Sequence, residues 1–312
     1  MLNTPILLIT FNRPDHVRQV LTEILKQEPQ ELYICQDGAR EGNDMDRIKC
    51  QEVRNVINEL TSAYAIDHSD FTLHTLYQEK NLGCGPGPAA GITWFFEQVE
   101  MGIILEDDCV PSNTLLLFFA ELLIKHKNDD DIALITGTNV LKRWNSKKGD
   151  YFIAKTGGMT MGCWASWKRA WNLFDANLSS WGEKKNELKA FIGDDEYNVY
   201  APILEDIYIH SSKDAWDFQW AYSRWVNKKY CLVSTVNQMS NIGFCAESTH
   251  TSNYDSRRAN IELMTCNFPL KIVSNKCDSL FDYVMFQRFT RKTKKGILLR
   301  CLLKVIEYIY KR

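Results

Sequence analysis

The sequence predicts an α/β protein: a mostly parallel central sheet with helices on both faces, followed by a basic helical extension at the C-terminal end. Three observations predict it. Short, wholly apolar runs such as Ile6-Leu7-Leu8-Ile9 recur along the chain, as in strands covered on both faces. Helix-length segments with apolar residues three and four apart lie between them. The runs also end on polar clusters, Thr10 to Arg13, Gln36-Asp37-Gly38 and Glu106-Asp107-Asp108, at the strand ends where open α/β sheets bind ligands.

The elements follow in order. Residues 6–11 form a strand stopped by Asn12, Arg13 and Pro14, and proline suits the first turn of a helix. Val17, Val20, Leu21, Ile24 and Leu25 mark one face of that helix. Residues 31–35 make the next strand, so strand, helix and strand fit in ~35 residues, a right-handed βαβ unit. A helix over 46–63, a strand over 71–77, a Gly/Pro-rich stretch over 81–91 and a helix over 92–99 come next. A strand over 102–105, a helix over 114–126 and a strand over 132–136 complete the regular part. The first twelve residues lack the basic and apolar regions of a secretory leader. The second half is richer in tryptophan; a helix opens at Trp216-Asp217 and a strand covers 231–235, while residues 172–214 match no pattern. With no repeat or low-complexity linker, the reading is one domain over 1–285, its halves meeting near residue 140, and a helix over 286–312.

Composition sets further bounds. The 312 residues are 45% hydrophobic, and 37 Lys+Arg balance 39 Asp+Glu, which excludes a dedicated nucleic-acid binder. Ten cysteines contain no CxxC pair, so reduced thiols in a cytoplasmic protein are expected. The near-neutral total hides a lopsided end: Arg288 to Arg312 holds nine Lys/Arg and one acidic residue. The apolar stretch 297–310 is too short to span a membrane. Leu298, Leu302, Val305, Ile306 and Ile309 nevertheless form a helical stripe flanked by Arg300, Lys304 and Lys311. That suits contact of residues 289–312 with an anionic membrane surface, with packing on the domain as the alternative.

Glu106-Asp107-Asp108 places three carboxylates in one short turn. Such crowding is unfavourable unless a cation or hydrogen bonds offset it, and Mg²⁺ or Mn²⁺ suits carboxylate oxygens beside substrate phosphates. A solvated turn capping the next helix is the plainer reading. The 81–91 stretch lacks the Lys-Ser/Thr of a phosphate-binding P-loop and does not fit GxGxxG, which disfavours a nicotinamide or flavin site.

Taken together, Leu8-Ile9-Thr10-Phe11-Asn12-Arg13-Pro14, Gln36-Asp37-Gly38, Asn81-Leu82-Gly83 and Glu106-Asp107-Asp108 resemble the nucleotide-sugar half of GT-A-type glycosyltransferases. The Gln-Asp-Gly and Glu-Asp-Asp pair is similar to the N-acetylglucosaminyltransferase I family. Sugar transferases of bacterial surface-polysaccharide clusters share segments like residues 162–171, Asn241-Ile242-Gly243 and Thr249-His250-Thr251. The likeness runs from about residue 5 to 255. It implies a GT-A fold and an inverting, Mn²⁺- or Mg²⁺-dependent transferase that takes a UDP-sugar to a glycan or polyprenyl-diphosphate-linked acceptor. By the same resemblance Asp37 meets the uracil, Thr10, Asn12, Arg13, Gly83, Glu106 and Asp107 line the nucleotide, and Asp108 holds the metal. His250 adds a metal or phosphate contact, and Asn241 and Gly243 belong to its loop. Trp164 is a candidate for sugar stacking, against a place in the core. Asp217 is the expected base, with helix capping as its rival; Asp194, Asp195, Glu196, Glu205 and Asp206 are weaker candidates. A retaining glycosyltransferase, a sugar nucleotidyltransferase and a non-catalytic sugar-binding scaffold remain as alternatives. The acceptor, the donor sugar and the linkage are not legible.

Overall fold

The computed structural model describes residues 2–158, 160–210, 216–243, 259–291 and 296–311. The first half runs β1 (Ile6–Thr10), α1 (Pro14–Leu25), β2 (Glu31–Gln36), α2 (Asp44–Asp67), β3 (Thr72–Tyr77), α3 (Pro86–Gln98), β4 (Met101–Glu106), β5 (Cys109–Pro111), α4 (Leu115–Lys125) and β6 (Ile132–Thr136). The second runs β7 (Tyr151–Ala154), β8 (Cys163–Trp167), α5 (Lys168–Trp171), α6 (Trp181–Ile192), α7 (Asp194–His210), α8 (Asp217–Val226), β9 (Tyr230–Ser234), β10 (Met239–Asn241) and β11 (Ile272–Cys277). After α9 (Ser279–Met285) and a π-helical turn (Phe286–Thr290), α10 (Ile297–Tyr310) follows.

One nine-stranded sheet, ordered β11-β7-β9-β6-β8-β4-β1-β2-β3, organises the chain. The strands β3, β2, β1 and β4 are mutually parallel. Strand order reverses at β1, which pairs with β2 on one side and β4 on the other; this is the switch point at which α/β sheets open a crevice. Beyond β4 the sheet is mixed, because β8 runs antiparallel to both β4 and β6. Val17, Ile57, Leu116 and Phe119 from α1, α2 and α4 pack on one face. Phe95, Trp164, Trp220 and Leu303 pack on the other. The expected α/β architecture, helices on both faces included, is therefore what the chain adopts.

Two segments differ from the sequence reading. Helix α3 starts at Pro86, six residues earlier than the pattern predicts. Proline presets the first turn, and the glycines serve packing. A Cβ at Gly91 would lie 2.6 Å from the Cys35 Sγ, and one at Gly87 would lie 3.2 Å from Asp37 Oδ2. The glycine-rich stretch thus lets a helix lie close on β2. Residues 172–210 of the unpatterned segment contain α6 and α7; Leu178 before α6, and Trp181, Leu188, Leu204 and Ile207 within the helices, are buried with Tyr222 and Trp225 of α8. Asp194, Asp195 and Glu196 are the first turn of α7 rather than a solvated loop, where the helix N-terminus favours negative charge.

The C-terminal helix is docked, not free. Leu303 is fully buried, Tyr310 stacks on Trp144 at 4.6 Å, and the Asn145 N–H donates to the Tyr310 carbonyl at 2.8 Å.

A buried carboxylate fastens α9 to the end of β7. Asp282 accepts from the backbone N–H groups of Lys155, Thr156 and Gly157, the last at 2.7 Å. Removing it would orphan three buried donors, so Asp282→Ala should cost about 3 kcal/mol in urea unfolding; a loss under about 1 kcal/mol would contradict this role. Beside it, Thr156 Oγ1 donates to Glu196 at 2.9 Å. Burial pushes the Glu196 carboxyl up to about 8, with Asp282 and Asp195 adding to the shift and Thr156 and Lys155 opposing it. The folded state then holds this proton more tightly than the unfolded one. Stability attributable to Glu196 is complete below about 4.5 and is lost as pH rises through about 8. Glu196→Gln should match the parent Tm in acid and exceed it above about pH 8; parallel Tm profiles for the two proteins would refute the shift.

Candidate functional site

The ends of β1, β2 and β4 converge at the switch point, and an arginine spans them. Arg13 sits at the corner between β1 and α1, held by Pro14 at the helix start. Its guanidinium pairs with Asp107, which is 2% exposed, and donates to Asp108 Oδ2 at 3.1 Å. Asp107 also accepts from the Phe11 N–H at 3.4 Å. Burial alone would lower the Arg13 pKa, but the charges of Asp107 and Asp108 carry it above the ordinary arginine value. Asp107 moves up, driven by burial and opposed by Arg13. Glu106 is pushed up to about 8, first by burial and then by Asp108 and Asp107, with Arg13 opposing and Asp217 adding. One guanidinium thus pairs with two carboxylates, Asp107 and Asp108.

The small second sheet completes the site around Asp108. In the β5–β10 ribbon Asn241 lies opposite Cys109, so its Nδ2 donates to Asp108 Oδ1 at 3.1 Å. The Cys109 thiol, kept protonated by burial and the Asp108 charge, donates to the same oxygen at 3.3 Å. The Gly243 N–H returns to Asn241 Oδ1 at 2.8 Å. A Cβ on Gly243 would overlap the Asp108 carboxylate, so only glycine lets this backbone approach so closely. Asn241 and Gly243, expected near the same ligand, are brought to Asp108. His250 lies outside the described residues.

The β2 end is occupied by internal bonds. Asp37 accepts from the N–H groups of Gly38, Leu82 and Gly83 and from Asn81 Nδ2, at 2.8–3.0 Å. Four donors use the acceptor capacity of a carboxylate, so in this conformation Asp37 organises the loop after β3, where Gly83 takes a φ of +86°. Thr10 is buried and its hydroxyl ties β1 to β2 by donating to the Cys35 carbonyl at 3.3 Å. Asn12 reaches sideways to Asp46 at 2.8 Å. Asp46 also accepts from Arg40, which with Asn12 holds it down at about 2 despite burial. Asp46 and Cys109 were not singled out from the sequence: Asp46 meets Asn12, 34 residues away, only through the fold, and the thiol of Cys109 turns inward to Asp108 and to the Met161 carbonyl, 52 residues away.

Asp217 is exposed as the first residue of α8. The capping position belongs to Trp216, whose side chain makes no capping bond, and Asp217 is the acidic residue of the first turn, where a carboxylate suits the helix N-terminus. Its carboxylate accepts from the Phe218 N–H at 3.0 Å, and its charge is felt by Glu106. Four of the rival acids are engaged elsewhere: Asp194 with Lys189, Glu196 with Thr156, Glu205 with Lys185 and the Trp181 Nε1, and Asp206 with His210. Trp164 corrects an expectation. It is fully buried among Trp171, Trp216 and Trp220, so its ring faces meet tryptophans rather than a sugar. Among the described residues, no group of three His, Cys, Asp or Glu side chains gathers as a ready-made metal cage.

No protein-family model matches the chain, and no curated protein does. Solved structures with a similar arrangement include a mannosyltransferase from Pyrobaculum calidifontis in complex with GDP-Man and Mn²⁺, at 13% identity and a TM-score of 0.36, over 70% of this chain and 73% of that one. GalNAc-T7 with UDP, GalNAc and Mn²⁺ matches at 11% identity and a TM-score of 0.41, over 77% of this chain and 43% of that one. The bifunctional glycosyltransferase WbbM, in its apo form, matches at 9% identity and a TM-score of 0.35, over 75% of this chain and 38% of that one. The chain therefore spans less than half the length of the last two.

Proposed function

We propose that the chain is a metal-dependent, inverting glycosyltransferase of the GT-A type. It moves a hexosyl or N-acetylhexosaminyl group from a UDP-sugar to a hydroxyl of a glycan or polyprenyl-diphosphate-linked acceptor. Its setting is the synthesis of a bacterial surface polysaccharide, lipopolysaccharide or capsule, on the cytoplasmic side of the membrane. One observation carries the reading: Arg13, Asp107, Asp108 and Asn241 meet at the sheet's switch point.

The donor set fits a hard divalent cation. Asp107 and Asp108 share one guanidinium, leaving an excess of negative charge, and Asp108 is the less shielded of the two, its side chain 13% exposed against 3% for Asp107. Mg²⁺ and similar ions commonly take one or two protein carboxylates and fill their other positions with phosphate oxygens and water, so a single Asp108 ligand suffices. When bound, such an ion would offset the charge that develops on a departing diphosphate. Arg13 keeps Asp107 and Asp108 oriented toward one another, and the close Gly243 backbone narrows the space above Asp108. Asp217 accepts the proton of the acceptor hydroxyl as that oxygen attacks the anomeric carbon. The bond to the diphosphate breaks on the opposite face, so the configuration inverts.

Asp108→Ala should abolish Mn²⁺-dependent binding of UDP by calorimetry and transfer by product analysis, while the circular dichroism spectrum and Tm stay near the parent's. Metal-dependent transfer at the parent rate in that variant would remove Asp108 from the reading. Asp217→Asn should lower kcat by about 10²–10⁴ while leaving donor binding unchanged. A product that retains the donor's anomeric configuration would overturn the single-displacement reading.

A further inference from the structure

We propose that α10 docks the protein flat on an anionic lipid surface. The inference rests on that helix alone and stands apart from the glycosyl-transfer reading.

The helix shows three distinct sides. Leu299, Leu303, Ile306 and Tyr310 face inward onto the sheet's second core layer. Leu298, Leu302, Val305 and Ile309 are 87%, 51%, 55% and 61% exposed. Their spacing of four, three and four residues puts them in one lengthwise stripe at 3.6 residues per turn. Arg300 and Lys304, both exposed, occupy the third side, and Tyr308, 59% exposed, lies between stripe and basic side. A helix that only packed on its domain would need the first apolar side and not the second.

Charge selects the occupant. Glu307 is the single acidic residue between Arg288 and Arg312, and it turns inward, 16% exposed, to pair with Arg288 and Lys311. Among the described residues of this segment no carboxylate is therefore left to answer Arg300 and Lys304, and the sequence adds Lys292, Lys294 and Lys295 just before the helix. Two copies joined along their stripes would bring these like charges together. Anionic headgroups would neutralise them while the stripe enters the acyl boundary, and the long basic side chains can reach headgroups from beside it. Among the described residues no helix is long and apolar enough to cross a membrane, so the contact lies in the plane of the surface. Because Leu303 and the Trp144–Tyr310 stack fix the helix to the body, the docking would also set the orientation of the whole domain.

The test is co-sedimentation of the full chain with vesicles of phosphatidylglycerol in phosphatidylcholine, against pure phosphatidylcholine. Deleting the helix would uncover Leu303's pocket, so exposed side chains are changed instead. Binding should require the anionic lipid and weaken with salt. Leu298→Glu with Leu302→Glu, and separately Arg300→Glu with Lys304→Glu, should each reduce it at least tenfold, with the parent's Tm retained. Absence of binding by the parent, equal binding to neutral vesicles, or undiminished binding by both variants would overturn the proposal. So would a concentration-dependent dimer, seen by analytical ultracentrifugation, that the Leu298→Glu and Leu302→Glu changes dissolve, since the occupant would then be a second copy.

Discussion

The Arg13 guanidinium holds the whole site in register. Three acids in succession at the end of β4, with Asp107 cut off from water, would repel one another without it. At an effective dielectric near 20, charges ~4 Å apart interact by about 4 kcal/mol, so one cation cannot balance three anions. Glu106, pushed first by burial and then by Asp108 and Asp107, holds its proton up to about 8. The ion pair therefore does two things together: it makes the turn tolerable, and it leaves a deficit of positive charge that a ligand can fill. It also joins β1 to β4 across the reversal in strand order, where the crevice opens.

Around that pair, close backbone approach is as important as charge. Gly243 meets the Asp108 carboxylate and Gly162 meets Glu106, where an added Cβ would come within 3.0 Å of Oε2. Gly87 and Gly91 bring α3 onto Asp37 and Cys35. Each contact draws a loop or helix onto a strand end and thins the layer of protein over the acids. The glycine-rich stretch after β3 looked like a phosphate loop in composition, but its residues are spent on packing and on the four bonds that Asp37 accepts.

What was legible in the sequence follows from how local the signals are. The parallel half of the sheet could be read because each buried strand is a continuous apolar run and each helix carries its own periodic face. The strand-end acids could be read for the same reason, since the sheet topology places them without knowledge of distant partners. Residues 172–210 could not, because α6 and α7 are stabilised by packing on each other and on α8, through contacts such as Trp181 with Tyr222 and Tyr200 with Trp225. The role of Asp37 was illegible too: its donors at residues 82 and 83 arrive by tertiary folding. Trp164 shows the limit most clearly, since aromatic residues near a site suit a sugar and a core equally well until burial is known.

That buried tryptophan bears on the site in a different way. Trp164 stands opposite Ile104 in the β4–β8 register, and Ile104 shares a face with Glu106 two residues on, because side chains alternate along a strand. Trp216 stacks on Trp164 at 5.7 Å, and Asp217 is the next residue. The separation between Asp217 and the β4 carboxylates is thus set by strand pairing and ring stacking, with no loop between the two aromatic residues and the sheet. A group that must accept a proton during bond breaking gains from such fixed support, since small displacements are costly to orientation. The four tryptophans are better understood as a rigid support between the start of α8 and the sheet than as a surface exposed to a ligand.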